Sequence, residues 1–360
     1  MLYGVIVMKD TGGIIRFCVC AVCCAATLIY NTYGHIFISS NENVPISNIS
    51  IETPKSSNYT VLSGVSIMGN EENTQTTATE PNTPSAQSEI VAVSGSGEVK
   101  GEIIEKFISP YTAKDSYNNV YLKNSTNLTV DIKKLLDAKL GFKIEKTEAP
   151  QVLILHTHAT ETYMSDDAKY YTAEYTSRTQ NEKSNMLAIG KIVADKLNAS
   201  GIVTLHDKTL HDYPSYSESY SRAAKTINKY KSKYKDLKIV IDLHRDAIAA
   251  NDTDKIKLTT QIDGKKAAQI MLVMGSQSGN VKNFPDWQEN LKLALRLQQT
   301  LEVMYPSLAR SLSLMPKNYN ESLTTGSMLI EIGTDANTLE EAKYSAELLS
   351  DALVALLKTI

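Results

Sequence analysis

Cysteine is scarce in this chain: of 360 residues only Cys18, Cys20, Cys23 and Cys24 are of that type, and all four fall in one apolar stretch near the N-terminus. Everything downstream is therefore without a possible disulfide or thiolate metal site. The C-x-x-C spacing of Cys20 and Cys23 sits in lipid-like surroundings rather than in a folded thiol site. A surplus of charge of either sign is also missing. The 37 Lys and Arg against 40 Asp and Glu leave a net charge of -3, so no basic field exists to neutralise phosphates, and nucleic acid is excluded as a partner. No P-loop or G-x-G-x-x-G fingerprint follows any apolar segment, and no fixed-period repeat is visible.

What the chain does have is unevenly distributed. Hydrophobic residues make up 42% of it, enough for a full core, and they concentrate after about residue 150. Behind a tail of residues 1–12 comes an apolar stretch, residues 13–38, with its core from Phe17 to Ile29. Lys9 and Arg16 precede that core and the next Lys or Arg is Lys55. The charge bias predicts an uncleaved transmembrane helix with the N-terminus in the cytoplasm and the remainder outside the cell membrane. There is no clean signal-peptidase site and no lipobox before any Cys. Residues 39–100 are rich in Asn, Ser, Thr, Glu and Pro and predict a disordered extracytoplasmic linker. A flexible chain of roughly 60 residues has an end-to-end distance of about 45 Å, enough to stand a domain off the membrane.

Residues 101–150 carry short mixed segments, including the amphipathic Val130–Leu140, and read as a lead-in segment docked on the main domain, residues 151–360. In that domain apolar strand-like runs (Val152–Leu155, Ile202–Leu205, Ile239–Leu243, Ile270–Met274, Met328–Ile332) alternate with helical patterns (Asn185–Asn198, Ser217–Tyr230, Gln288–Met304, Leu339–Leu357). The alternation predicts an α/β domain with a single, mostly parallel sheet and helices on both faces. Asp263-Gly264 is a hairpin signal expected to feed the Ile270 strand, which makes the sheet mixed.

Three strand ends gather polar residues, and ligand sites in open α/β sheets lie at the carboxyl edge. The first is His156-Thr-His158-Ala-Thr-Glu161-Thr-Tyr163, the second Asp242-Leu-His244-Arg-Asp246, the third Glu331-Ile-Gly333. A catalytic zinc takes three protein ligands and leaves a position for water, and His158, Glu161 and His244 supply such a set. Glu182, near the start of the Asn185 helix, is the rival carboxylate. His156 either competes for the first ligand position or hydrogen-bonds a ligand. Glu331, flanked by Leu and Ile, needs a partner, a metal or a proton, and beside an activated water it would serve as general base. Each residue also has a bland reading: a strand-end His held by hydrogen bonds, a buried Glu331 paired with Arg245 or Arg178. His206 and His211 form a further polar cluster, either a hydrogen-bonded loop or a substrate contact, and Arg178, Arg245 and Arg296 could each grip a substrate carboxylate or equally be a surface charge.

The segments His156–Tyr163, Asp242–Ala247 and Gly326–Ala342 together resemble the stage II sporulation protein P family of endospore-forming bacteria, a likeness covering roughly residues 115–358. The resemblance implies a zinc-dependent N-acetylmuramoyl-L-alanine amidase, with accompanying endopeptidase activity on peptide cross-links. It implies a zinc amidase or carboxypeptidase-like fold, Zn2+ as cofactor and peptidoglycan as substrate. Companion sporulation proteins D and M follow as partners in dissolving septal wall during engulfment. It maps Glu331 onto the catalytic Glu of the wider zinc amidases, and His158 and His244 onto their metal ligands. In those amidases the metal Glu falls near the position of Glu182, whereas the H-x-x-E pair of His158 and Glu161 looks more like zinc carboxypeptidases; we take Glu161. His156, Arg245 and His211 are the expected substrate contacts. A non-catalytic wall-binding scaffold and a carboxypeptidase trimming stem peptides are the competing readings.

Overall fold

The computed structural model describes residues 97–360, and before them only the backbone of four short strands, β1 Ile6–Lys9, β2 Ile15–Ala21, β3 Cys24–Tyr30 and β4 Ile36–Ile38, paired antiparallel in that order. The expected transmembrane helix, residues 13–38, is not among the described helices, none of which is long and apolar enough to cross a membrane. The expected linker lies outside the described residues up to residue 96.

From residue 99 the elements are β5 Val99–Lys106, β6 Asp115–Tyr117, β7 Val120–Asn124, α1 Ile132–Asp137, β8 Val152–Leu155, β9 Tyr170–Thr172, α2 Met186–Ala199, β10 Thr204–His206, α3 Ser219–Lys233 and β11 Ile239–Asp246. They continue through β12 Lys255–Ile262, β13 Lys265–Ala268, β14 Ile270–Gly275, α4 Trp287–Met304, β15 Leu312–Met315, β16 Ser327–Thr334 and α5 Leu339–Leu357. The fold is mixed α/β, as the alternation predicts. The single sheet expected is, however, two: an eight-stranded sheet ordered β10-β8-β11-β16-β14-β15-β7-β6 and a four-stranded one ordered β13-β12-β5-β9.

In the larger sheet β10, β8, β11 and β16 are parallel neighbours, β14 is antiparallel to β16, and β15 and β7 are again parallel. Strand alternation sends Ile239, Ile241, Leu243, Met328, Ile330 and Ile332 to one face, where they pack with α2, α4 and α5 in the main core. On the other face α3 covers one end, through Ala223 and Ile227 against Leu153, Leu155 and Val240. Beyond it that face carries Leu329, Met271 and Val273, with Met315 and Tyr319, and forms the floor of a cleft.

The Asp263-Gly264 turn, with φ of 49° and 75°, joins β12 to β13 within the smaller sheet. The second strand of that hairpin ends at Ala268, and the chain runs through Gln269 straight into the Ile270 strand, β14, which belongs to the larger sheet. Residues 101–150 supply β5 to the smaller sheet and β6 and β7 to the edge of the larger. Gly333 creates the feature that matters most for the site. At φ +66° it makes a bulge in β16, so that His244 pairs with Glu331 while Asp246 pairs with Thr334. The bulge leaves the Ile332 carbonyl to accept a hydrogen bond from the Tyr163 hydroxyl at 2.8 Å.

Candidate metal centre

The turn after β8 is pinned at two points by buried carboxylates. Asp242 accepts the Thr157 N–H at 2.8 Å and the Thr157 hydroxyl at 2.6 Å. Asp212 accepts the Thr160 N–H at 3.2 Å and the Thr160 hydroxyl at 2.6 Å. Held so, the turn aims His158 and Glu161 at the same point, while His244 arrives from β11. The ligand atoms of these three residues all lie within 4.8 Å of one another, and all three residues are buried. His158 Nδ1 is 3.5 Å and His244 Nδ1 is 3.7 Å from the two oxygens of Glu161. Ligands at about 2.1 Å from a tetrahedral ion stand about 3.4 Å apart, so the spacing fits zinc.

The surroundings favour a bound cation. The Glu161 carboxyl is held well below the usual carboxylate range: burial opposes this, but the Arg245 charge and then His158 and His244 override it. Arg245 N–H also donates to Glu161 Oε2 at 3.2 Å. Asp242 Oδ1 lies 2.9 Å from His244 Nε2, off the hydrogen-bonding line. Against the desolvation of its ring, that carboxylate, with Glu161 and Glu331, pushes His244 up to about 10. An ion bound through His244 would have to displace that proton.

Glu331 stands in register across from His244, and its Oε2 is buried with no hydrogen-bond partner among the described residues. Burial, reinforced by the Asp246 charge, pushes it up to about 8. Asp246 is itself fixed by Arg310 at 2.8 Å. Neither Arg245 nor Arg178 pairs with Glu331; they stand by Glu161 instead, at 4.0 and 3.6 Å. The cleft beside these groups holds about 1070 Å³ and is lined by His158, Glu161, His244, Glu331, Tyr216 and Tyr220 among others.

Three expected substrate contacts need correction. His156 is fully buried on the α2 side, its Nδ1 3.0 Å from the Leu243 carbonyl and its Nε2 2.9 Å from His206 Nε2. The pair fits only because residue 190 is glycine: a Cβ there would lie 2.4 Å from His156 Nε2 and 2.5 Å from His206 Nε2. His211 is buried too, engaged with the His156 carbonyl and the Thr226 hydroxyl, both at 2.9 Å. Arg245 reaches the cleft wall, but its guanidinium is buried and donates to the carbonyls of Thr162, Ser177 and Asp246. Glu182, the rival ligand, is exposed and pairs with Lys208 at 3.2 Å. Arg296 donates to carbonyls at the end of α1. Sequence reasoning missed the supporting roles of Asp242 and Asp246. Their spacing with His244, every second residue on one strand, was the available signal.

A mixed α/β fold with two imidazoles and a carboxylate converging beside a half-buried acid, one oxygen of which is buried without a hydrogen-bond partner, defines a candidate metal-dependent hydrolytic site. Over residues 48–354 the sequence matches the family described as stage II sporulation protein P, and the chain belongs to that family. It is 32% identical over 215 residues to the stage II sporulation protein P of Bacillus subtilis (strain 168); the match covers 56% of this chain and 49%, about half, of that relative. Among solved structures it is similar to the CwlD amidase from Clostridioides difficile in complex with the GerS lipoprotein, with TM-score 0.39 and 11% identity over 58% of this chain and 100% of that one. An N-acetylmuramoyl-L-alanine amidase from Clostridium difficile 630 gives TM-score 0.36 and 16% identity over 59% and 97% of the two chains.

Proposed function

We propose that this protein is a zinc-dependent peptidoglycan hydrolase that cleaves the amide between N-acetylmuramic acid and L-alanine, with endopeptidase activity on the stem peptides. It serves septal wall degradation during engulfment, with companion proteins D and M as partners. Residues 13–38 anchor it, so that the catalytic domain lies outside the membrane. The observation that carries the chemistry is the buried His158, Glu161 and His244 set at zinc spacing, with Glu331 across the strand from His244.

His158, Glu161 and His244 would hold the ion, which when bound polarises the scissile carbonyl and acidifies water. Glu331 accepts the proton of the attacking water and returns it to the leaving amine, so that water and amide become carboxylic acid and amine, which exchange one further proton to leave as carboxylate and ammonium. Its pocket suits both halves of that exchange. A carboxyl pushed up to about 8 holds a proton readily, and the same group loses it when a dication sits alongside.

The test is to incubate the purified full chain, in detergent and with zinc, with wall sacculi and to analyse released fragments by mass spectrometry. Glycans with free lactyl groups and intact peptides are expected. Shortened peptides alone would instead mark a stem-trimming carboxypeptidase. Absence of any release, together with absence of stoichiometric zinc, would leave a wall-binding scaffold and overturn the reading.

A further inference from the structure

Arg178 is the arginine of the cleft lining that keeps an open side next to the metal set. Arg245, its neighbour there, is buried and committed to three carbonyls. The Arg178 side chain is 37% exposed, lines the cleft, and is nonetheless rigidly placed. Its Nη1 donates to Asp212 Oδ2 at 2.7 Å and to the Thr160 hydroxyl at 3.3 Å. The guanidinium lies 4.6 Å over the Tyr216 ring, and residue 178 forms a backbone bridge to Glu161. The second terminal nitrogen, Nη2, stands 3.6 Å from Glu161 Oε1. These contacts use one edge of the fork and leave Nε–H and an Nη2 N–H for a ligand.

We propose that Arg178 is a specificity residue that binds a free carboxylate of the substrate one to two residues beyond the scissile amide. The inference rests on the hydrolase reading of the same site. Nη2 is about 4–6 Å from where an ion on Glu161 would sit, given metal–oxygen bonds of about 2 Å. A carboxylate bonded to the fork at about 2.8 Å would then lie about 5–8 Å from the ion. That is the reach of one to two extended residues at about 3.4 Å each. A substrate whose second residue beyond the scissile amide carries a free α-carboxylate would present it at this distance. Acidic stems are therefore selected over stems whose α-carboxylate is amidated.

The experiment compares muramoyl tripeptides with a free and an amidated α-carboxylate, on the full chain carrying wild-type sequence, Arg178→Gln or Arg178→Lys. Wild type should favour the acid in kcat/KM by about 10- to 100-fold, the range of a charge-assisted hydrogen bond. Arg178→Gln should erase that preference, with kcat/KM falling by a larger factor on the acid than on the amidated substrate, and Arg178→Lys should retain part of it. Binding of both peptides to the Glu331→Gln protein, measured by calorimetry, gives the same ratio without turnover. Equal losses on both substrates, no preference in wild type, or no binding of either peptide would overturn the assignment. If neither peptide is cleaved by wild type yet the binding ratio holds, the hydrolase reading falls and Arg178 stands.

Discussion

Asp242 Oδ1 lies 2.9 Å from His244 Nε2, on the ring side opposite the nitrogen that faces Glu161. One carboxylate thus orients a candidate ligand and, through Thr157, fixes the turn that carries the other two. Asp242→Asn should weaken zinc binding by about 10- to 100-fold, the usual cost of losing a partner that orients a ligand. Chelator competition measures it. An unchanged affinity would show that His244 is held by its strand alone.

Glu331→Gln separates ligand from base. Because Glu331 is outside the three-residue set, zinc stoichiometry should stay at wild-type level while turnover falls by about 10²- to 10⁴-fold. Stability of the metal-free protein should hold or rise, since an acid with a buried, unpartnered oxygen is replaced by a neutral amide. Loss of zinc with turnover would instead make Glu331 a ligand.

Much of this was legible in the sequence. The strands carrying His158, His244 and Glu331 announce themselves as apolar runs ending in polar residues, and α5 has the predicted bounds. The split into two sheets was not legible, because it depends on β5 pairing with β12 across some 150 residues, which no local pattern encodes. β15 escaped because Leu312–Met315 is four residues, one of them Ser313. The fates of His156 and His158 diverge because β8 ends at Leu155 and the turn beyond it obeys no strand alternation. That one ring packs on Gly190 and the other enters the cleft is a tertiary fact.

Gly333→Ala tests the bulge. A Cβ there would lie 2.7 Å from both Ala268 Cβ and Asn337 Oδ1, on a backbone at φ +66°. The variant should lose about 1–3 kcal/mol of stability in urea titration. Turnover should fall further than stability explains, because the register that sets Glu331 across from His244 shifts. Wild-type stability and turnover would mean the bulge is dispensable.

His206 should make the protein acid-sensitive. Burial, then the Lys208 charge, lowers it from 6.5 to about 4. Below 6.5 the unfolded chain therefore takes up a proton that the folded one refuses. The stability this represents is complete above pH 6.5 and drains away as pH falls towards about 4. Proton NMR of the His206 ring should show it neutral at pH 5, and the urea midpoint should drop between pH 7 and 5. A ring titrating near 6.5 would contradict the half-buried pairing of His206 with His156.

Glu105, near the end of β5, is gripped by Lys266 at 2.8 Å, by the Thr259 hydroxyl at 2.7 Å and by Lys257 at 3.7 Å. Lys257 in turn reaches Glu341 in the first turn of α5. Traction arriving from the N-terminal side at residue 99 meets this clasp and the ladder between β5 and β12 first. The strands that lead to His158 and carry His244 and Glu331 belong to the other sheet, but the two are coupled: the Thr334 hydroxyl donates to the Ile256 carbonyl and the Asn337 amide to the Leu258 carbonyl, so strain in β12 is passed to the strand that holds Glu331.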